Sequence, residues 1–342
     1  MKILFDCPLP FALAHGGRQI QIESTLAALR GLDLELEPFR WWDGDQRGDL
    51  IHFFGAPPAE YLHMAATANI PVVATQLFTE TCNRSDARLR LQGSIVRLAF
   101  ALPFGRGLKQ QLTWHSYRRC DHHVVGLDAE RQVLKTVYGV PDERISIVPL
   151  GLSENFLRAG PGARGENHLI CTGTITARKN CVELAEMARA AQVPILFVGK
   201  PYAETEPYWQ RFKSLIDGKY VKHHQFVAGE LEMIPLLQRA RGFVLMSRYE
   251  NWCLSAHEAA ACGLPLLVQD QKWSRERFGR EARYFANIGS SPDNVKILRQ
   301  FWESAPSLPA PKVPLLSWHD VAVRLRAVYQ EVIARTRAVA SA

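Results

Sequence analysis

The sequence lacks long apolar runs, low-complexity tracts and any regular spacing of cysteines. No apolar stretch approaches the roughly 18 residues that a membrane span requires, and the apolar start is far shorter than the core of a secretory signal. The seven cysteines are scattered, without Cys-x-x-Cys pairs or a histidine-rich grouping. We therefore expect a cytoplasmic protein with reduced thiols and no bound metal, whose contact with membranes is peripheral at most.

Length and composition indicate two globular domains. The chain has 342 residues, too many for one ordinary core and enough for two α/β domains of roughly 150 residues each. Hydrophobic residues make up 47% of the chain, so both domains can form cores. The net charge of +7 fits nucleic acid, an anionic membrane or an anionic small substrate. No zinc finger, helix-turn-helix or aromatic RNA-binding pattern is present, which argues against a nucleic-acid partner.

Short apolar runs alternate with helix-length segments along the chain, as in parallel sheets with crossover helices. The predicted strands are residues 3–5, 50–54, 71–75, 123–126 and 145–149 in the first half, and 168–172, 194–198, 225–228, 242–246 and 265–269 in the second. Glycines and a proline between Leu157 and Asn167 predict an interdomain linker. We therefore predict two Rossmann-like domains, over 1–157 and 165–316, and a helix over 317–336 that packs back on the first.

The most informative segment runs from Ser247 to Pro265, where a predicted strand is followed by a loop and a helix beginning near Leu254. The first turn of a helix has free backbone N–H groups and the positive end of the helix dipole, which suits a diphosphate. One turn into the helix, the carboxylate of Glu258 can accept hydrogen bonds from ribose hydroxyls. The alternative is that Glu258 and the loop residue Glu250 are merely solvated.

Two further segments join glycine turns to helices. Between Thr172 and Asn180, a turn at Gly173 is followed by two adjacent cations, Arg178 and Lys179. Adjacent basic residues are usually solvated, but these share a predicted domain with the two glutamates, which favours an anion-binding role. Near the start of the chain, Gly16 and Gly17 precede a predicted helix, and their backbone can approach a ligand closely unless the pair is only an ordinary turn.

These segments resemble the signature of the family 4 (group 1) glycosyltransferases, and the resemblance covers nearly the whole chain. Two glutamates separated by seven residues, the second opening Glu-Ala-x-Ala-Cys-Gly-x-Pro, are matched by Glu250 and Glu258. The resemblance implies the GT-B fold, with two Rossmann-like domains whose parallel sheets face a central cleft. It further implies that Glu258 binds the donor ribose, that Glu250 contacts the donor hexose, and that Arg178 and Lys179 stabilise the departing nucleotide diphosphate.

The remaining donor contacts implied by the resemblance lie in the glycine turns and the glutamate loop. They are Gly16, Gly17, Gly173, Asn251, Trp252, Cys253, Leu254 and Ser255. Relatives usually have Glu-Gly-Phe-Gly-Leu at this loop, so Asn251 and Cys253 place side chains where the family has hydrogens. We expect Cys253 to pack rather than to act as a nucleophile, because no activating base is close in sequence.

The first domain departs from the family at its histidines. Asp49 to Gly55 resembles Asp-x-x-His-x-His-Gly, but Phe54 stands at the second histidine position. We consider His52 and Gln76 as contacts of the sugar or the acceptor, with a core or strand-end position as the alternative for His52.

Arginines and apolar side chains alternate between residues 84 and 119. Such a mixture can bind an anionic membrane surface, and the alternative is a packed helix pair with a solvated arginine face.

The resemblance as a whole predicts a retaining, metal-independent hexosyltransferase. It would move a hexose from a UDP- or GDP-sugar to a hydroxyl of a glycan or lipid-linked acceptor, in cell-surface polysaccharide or glycolipid synthesis. No cofactor is expected beyond the nucleotide-sugar donor. Two alternatives remain open: a sugar-nucleotide 2-epimerase, and a catalytically degenerate GT-B protein that binds a nucleotide or a partner.

Overall fold

A computed structural model of the protein describes residues 1–8, 11, 16–78, 80–101, 114–227 and 229–340. The chain divides into two compact units. The first consists of the described residues of Met1–Ala14, Arg18–Gly151 and Trp318–Ala342, and the second of Gly16, Gly17 and Leu152–Ser317. Within the described ranges no helix is both long enough and apolar enough to cross a membrane.

The first unit contains a six-stranded parallel sheet in the order β2-β1-β3-β4-β5-β6. The strands are β1 (Lys2–Asp6), β2 (Glu35–Pro38), β3 (Leu50–Phe54), β4 (Val72–Thr75), β5 (His122–Val125) and β6 (Ile145–Ile147). Every residue of β3, β4 and β5 is buried, as expected for central strands covered on both faces.

Helices and short helical turns flank this sheet. The α-helices of its described residues are α1 (Gly17–Arg30), α2 (Ala59–Thr67), α3 (Asp86–Ala101), α4 (Trp114–Arg119) and α5 (Asp128–Val133). Shorter helical segments are Thr81–Asn83, Leu134–Tyr138 and Asp142–Arg144. Residues 102–113 of the predicted basic and apolar segment lie outside the described residues.

The last helix of the chain belongs to the first unit, although it follows the second unit in sequence. The Tyr329 side chain is fully buried, and its hydroxyl is 2.6 Å from Nδ1 of His52 on β3. Arg335 donates a hydrogen bond to the backbone oxygen of Asp121, just before β5. The helix therefore completes the core of this unit, and it extends beyond the predicted range of 317–336.

The second unit repeats the architecture with a parallel sheet in the order β10-β9-β8-β11-β12-β13. Its strands are β8 (Leu169–Thr172), β9 (Ile195–Val198), β10 (Val221–His224), β11 (Phe243–Leu245), β12 (Leu266–Gln269) and β13 (Arg283–Phe285). Two further short strands, β7 (Gly151–Leu152) and β14 (Leu316–Ser317), pair with each other.

The second unit's α-helices alternate with its strands. Those of its described residues are α6 (Glu154–Ala159), α7 (Cys181–Ala191), α8 (Pro207–Leu215), α9 (Glu230–Arg239), α10 (Leu254–Ala261), α11 (Lys272–Phe278) and α12 (Pro292–Ser304), with 3-10 turns at Ala177–Lys179 and Ala305–Ser307. The helix after β14 described above is α13 (Trp318–Ala340).

The segment predicted as an interdomain linker, Leu157 to Asn167, lies within the second unit. The backbone N–H of Arg164 donates to Gln238 O, and that of Glu166 donates to Arg239 O, which fastens the segment to the end of α9. The Arg164 guanidinium also donates to the carbonyl oxygens of Gly263 and Leu308. The chain instead passes between the units at Gly151–Leu152. The glycines and proline break regular structure there, but hydrogen bonds hold the segment in place.

Candidate functional site

Two cations and one carboxylate of the second unit meet at a single oxygen atom. The Arg178 guanidinium lies 2.8 Å from Oε1 of Glu250, and Nζ of Lys179 lies 2.5 Å from the same oxygen. The Ser247 hydroxyl donates a third hydrogen bond to it, at 3.0 Å. Lys179 and Glu250 are both buried, so a charged group that binds here is largely shielded from bulk water. The structure thus brings together the three residues predicted to be catalytic.

Hydrogen bonds through Asn180 join the two loops that carry these charges. The Asn180 amide nitrogen donates to Met246 O at 2.9 Å, and its amide oxygen accepts from Nε of Arg248 at 2.9 Å. The backbone N–H of Arg248 donates to Arg178 O at 2.8 Å. Asn180 is fully buried and has left-handed backbone angles, which asparagine adopts more readily than most residues. The spacing of the cations from Glu250 is therefore fixed by hydrogen bonds of the Asn180 amide, the backbone and the Arg248 guanidinium.

Burial and ion pairing oppose each other at this cluster. Burial alone raises the pKa of the Glu250 carboxyl, but Lys179 and Arg178 outweigh it, and the net pKa is lowered. Burial likewise favours loss of the Lys179 proton, and Glu250 reverses this, so the pKa of the ammonium is raised. Both groups are therefore charged at neutral pH.

Two glycines allow the backbone to pass beneath Lys179. Gly173 has a φ of +138°, and a Cβ there would lie 3.5 Å from Cε of Lys179. A Cβ at Gly199 would lie 2.0 Å from the carbonyl oxygen of Gly173, a distance too short for any residue with a side chain. The close approach of these two turns places the Lys179 ammonium at the carboxyl end of β8.

The helix that follows Glu250 begins at Leu254, as predicted. Cys253 precedes it in a left-handed conformation, with φ 60° and ψ 75°. The backbone N–H groups of Ala256 and His257 donate to Cys253 O, whereas those of Leu254 and Ser255 have no intrahelical acceptor. Together with the helix dipole, these two N–H groups are chemically suited to an anion, and they lie on the loop that carries Glu250.

The large side chains of the glutamate loop point into the protein. The Trp252 indole stacks on the His257 ring at 4.7 Å, and the Arg277 guanidinium lies over the indole at 4.1 Å. Trp252 and Cys253 are both buried, and burial raises the pKa of the Cys253 thiol. A ligand at this loop would therefore meet their backbone, while Asn251 and Ser255 are partly exposed. Cys253 packs as expected.

The structure places a second carboxylate near Glu258. Burial and then the charge of Glu230 raise the pKa of the Glu258 carboxyl to about 7. Glu230 is the first residue of α9, and its Oε2 accepts hydrogen bonds from the Ser153 hydroxyl at 2.6 Å and the Asn155 amide at 2.9 Å. Neutral donors thus hold Glu230 in place without cancelling its charge.

We expect the Glu258 carboxyl to titrate near pH 7 in the ligand-free protein, as measured by ¹³C NMR of glutamate-labelled protein. Glu230→Gln should lower this midpoint, and Glu232→Gln, an exposed position on the same helix, should leave it unchanged. Because the pKa in the folded state is raised, the folded state binds this proton more tightly than the unfolded state. The free energy of unfolding should therefore fall as pH rises through about 7, and less so in Glu258→Gln. A midpoint near that of a free glutamate would contradict this account.

The first unit's candidate contacts are less accessible than the sequence suggested. His52 is buried, with Nε2 2.7 Å from the Thr75 hydroxyl and Nδ1 2.6 Å from the Tyr329 hydroxyl. Burial lowers the pKa of His52 to about 3, so the ring is neutral. Gln76 is also buried, and its amide nitrogen lies 3.3 Å from Nδ1 of His123. The core interpretation of His52 therefore fits the structure, and Gln76 is likewise enclosed within the first unit.

Acidic residues in the described part of the chain offer no evident metal site. No group of three histidine, cysteine, aspartate or glutamate side chains there is arranged to hold an ion. The sequence does contain an Asp-x-Asp spacing at Asp43-Gly44-Asp45, which our expectation of no metal site did not consider. The Asp43 carboxylate accepts hydrogen bonds from Arg40 at 2.7 and 3.0 Å, so it is engaged in its own loop.

Sequence reasoning did not assign roles to Ser247, Asn180 or Glu230. The first two lie inside the motifs already considered, where a polar residue directly beside a charged one in the sequence is the signal that could have identified them. Glu230 is 77 residues from its partner Ser153, and no local pattern relates them.

The fold is that of known glycosyltransferases. Crystal structures similar to this chain include Anabaena HepE in complex with UDP-glucose (16% identity, 100% of this chain and 98% of that chain, TM-score 0.61). Others are a sucrose-phosphate synthase from Thermosynechococcus elongatus (14%, 98% and 99%, TM-score 0.64) and a glycosyltransferase from Rickettsia africae (11%, 97% and 98%, TM-score 0.61). The two Rossmann-like sheets therefore form a GT-B fold.

Two family models match consecutive parts of the sequence. The model for Glycosyltransferase Family 4 matches residues 22–156, and the model for Glycosyl transferases group 1 matches residues 154–303. The chain belongs to the group 1 glycosyltransferases of the family 4 type. No curated protein sequence matches it significantly.

Proposed function

We propose that this protein is a retaining, metal-independent glycosyltransferase that moves a hexose from a UDP- or GDP-sugar to a hydroxyl of a glycan or lipid-linked acceptor. The observation that carries the proposal is the convergence of Arg178 and Lys179 on Glu250, on the loop that opens α10. Fixed cations and helix N–H groups at one site suit a diphosphate, and they act without a metal ion. The UDP-glucose bound by HepE makes UDP-sugars the first donors to test.

The proposed reaction breaks the bond between the anomeric carbon and the diphosphate oxygen. The acceptor oxygen forms its bond to the same face of the anomeric carbon, which retains the configuration. Negative charge then builds on the departing diphosphate, where Arg178, Lys179 and the first turn of α10 stabilise it. The acceptor proton passes to a diphosphate oxygen, so no protein base is required. Glu258 binds the ribose hydroxyls, and the backbone at Gly16, Gly17 and Gly173 gives the donor close access.

A thermal-shift screen tests the donor site. Purified protein in EDTA is titrated with UDP, GDP, ADP and their common sugar conjugates, alongside Glu258→Ala. We expect one nucleotide to raise the melting temperature, and Glu258→Ala to reduce that shift. NMR of the product should then show the same anomeric configuration as the donor. No stabilisation by any nucleotide, turnover only with added metal, or an inverted product would each contradict a part of the proposal. Conversion of a free nucleotide sugar without acceptor would indicate an epimerase.

We also propose that α3 binds the cytoplasmic surface of a membrane, where polysaccharide or glycolipid acceptors are assembled. Leu91, Ile95 and Leu98 are exposed and spaced to share one face of the helix, and Arg88 and Arg97 are exposed on the same helix. An apolar stripe beside cations is suited to an anionic lipid surface.

Replacing Leu91, Ile95 and Leu98 together with glutamine should therefore abolish binding to phosphatidylglycerol vesicles in cosedimentation. Met64→Gln, at an exposed apolar position on α2, is the matched control and should leave vesicle binding unchanged. Retained binding in the triple variant would assign the membrane contact elsewhere or remove it.

A further inference from the structure

Two neighbouring tryptophans of the first unit are exposed. Trp41 is 84% exposed and Trp42 is 67% exposed. Their ring centroids are 5.5 Å apart, and the rings are nearly perpendicular, at 89°. Burying a tryptophan is strongly favourable, so two adjacent solvent-exposed indoles indicate a surface that binds a ligand or a partner.

The loop that carries them is held by its own polar side chains. Arg40 donates hydrogen bonds to Asp43 and to Glu37, and its backbone N–H donates to Oε1 of Gln46 at 2.7 Å. Gln46 in turn donates to Glu37 and to the carbonyl oxygen of Pro38. The tryptophan side chains take no part in these hydrogen bonds, but the hydrogen bonds fix the backbone on both sides of the two tryptophans. A pre-ordered loop binds a ligand without losing its own conformational freedom.

The loop follows β2 directly, at the carboxyl edge of the parallel sheet. Ligands of open parallel sheets bind at this edge. The turn at Gly55, which follows β3, lies at the same edge of the same sheet. The tryptophans therefore occupy the edge of the first unit where a substrate is expected, and not its opposite face.

The charge of the loop distinguishes among possible ligands. From Glu37 to Arg47 the chain has three carboxylates and two guanidinium groups, a net charge of −1. Arg40 is already paired with Glu37 and Asp43. The Arg47 guanidinium donates to the carbonyl oxygens of Gly44 and Gln46, and the exposed Asp45 balances its charge. The loop therefore has no net positive charge to attract a phosphate group or an anionic membrane, in contrast to α3. An uncharged sugar fits better, since its C–H faces pack on indole rings and its hydroxyls can donate to a carboxylate such as the exposed Asp45.

We propose that Trp41 and Trp42 form a stacking platform for the pyranose rings of an uncharged glycan acceptor. This inference rests on the proposed glycosyl transfer and narrows its acceptor to a chain with at least two neutral sugar residues, because two perpendicular indoles offer two separate stacking faces. The first unit thus holds the acceptor through its sugar rings.

The test measures binding of the full-length protein to immobilised neutral hexasaccharides: maltohexaose, cellohexaose, mannohexaose, galactohexaose and xylohexaose. We expect at least one to bind the wild type, and Trp41→Ala/Trp42→Ala to bind it at least about tenfold more weakly. Met64→Ala, an exposed apolar position of the same unit, should bind as the wild type does. Stabilisation by the nucleotide that the donor screen identifies should be the same in all three proteins.

Three results would overturn the proposal. In the first, the wild type binds none of the five hexasaccharides. In the second, the double variant binds a hexasaccharide as well as the wild type does. In the third, the double substitution weakens binding to phosphatidylglycerol vesicles but not to any hexasaccharide. If no nucleotide stabilises the wild type, the glycosyltransferase proposal itself fails. If the nucleotide binds and the tryptophan variant is unaffected, only the acceptor platform fails.

Discussion

Lys179→Ala is expected to lower the transfer rate by about a thousandfold and to remove stabilisation by the nucleotide. The ammonium is buried and fixed against Gly173, so water cannot easily take its place beside a departing diphosphate. Its loss also removes one of the two cations that lie at Oε1 of Glu250 among the described residues, and the less compensated negative charge opposes an anionic ligand. The measurement is the steady-state rate with the donor identified by thermal shift, together with the shift itself.

Lys213→Ala is the matched control for this variant. Lys213 is an exposed lysine of the same unit, with its ammonium over the Trp209 ring. Its loss should change neither the rate nor the nucleotide shift. If Lys179→Ala kept more than about a tenth of the wild-type rate, the ammonium would not be a main stabiliser of the leaving group.

Glu250→Ala should separate binding from turnover. In the ligand-free protein Glu250 is the counter-ion of the buried Lys179 and of Arg178, whose side chain is 34% exposed. Its removal should therefore lower the free energy of unfolding by about 3 kcal/mol, the low end for breaking a buried ion pair. A nucleotide diphosphate supplies replacement negative charge. The variant should therefore be stabilised by the nucleotide more than the wild type is, while its transfer rate falls by at least about a hundredfold because the proposed hexose contact is lost.

The opposite responses of the two variants form the test. Lys179→Ala should lose the nucleotide-induced rise in melting temperature, and Glu250→Ala should show a larger rise than the wild type. Glu232→Ala, which removes an exposed carboxylate, is the control and should show the wild-type rise. A Glu250→Ala protein that folds but no longer responds to the nucleotide would show that Glu250 is needed for binding and does not only balance the cations.

The central strands of both sheets were predictable, whereas three of the four edge strands were missed or misplaced; β6 is the edge strand that was predicted, at 145–149. Residues 50–54 form β3 with the predicted bounds, because an uninterrupted apolar run is required where both faces are covered. The edge strands β2 and β13 went unpredicted, since Glu35–Pro38 has no fully buried residue and Arg283–Phe285 has only one, Phe285. The edge strand β10 is Val221–His224, whereas the prediction placed it at 225–228, of which Ala228 lies outside the described residues.

The candidate site was predictable where its chemistry lies in short motifs. Arg178, Lys179 and Glu250 were chosen from two segments, and the structure brings them to one oxygen atom. The burial of individual side chains was not predictable from these sequence segments. Burial is what removes His52 from the accessible surface. The Glu230 carboxylate near Glu258 depends on how α9 packs beside Ser153, which only a folded unit specifies.

The place of α13 in the first unit bears on how the protein is made. Apart from Gly16 and Gly17, the second unit is the continuous segment 152–317, so a ribosome releases all of that segment before it releases α13. The first unit, although synthesised first, cannot form the bond between His52 and Tyr329 until then. Its sheet must wait with an uncovered apolar face for about eight to thirty-three seconds more, at ordinary elongation rates of about 5–20 residues per second. The second unit is therefore expected to reach its final packing first during translation, and chaperones should bind the nascent first unit in preference to it.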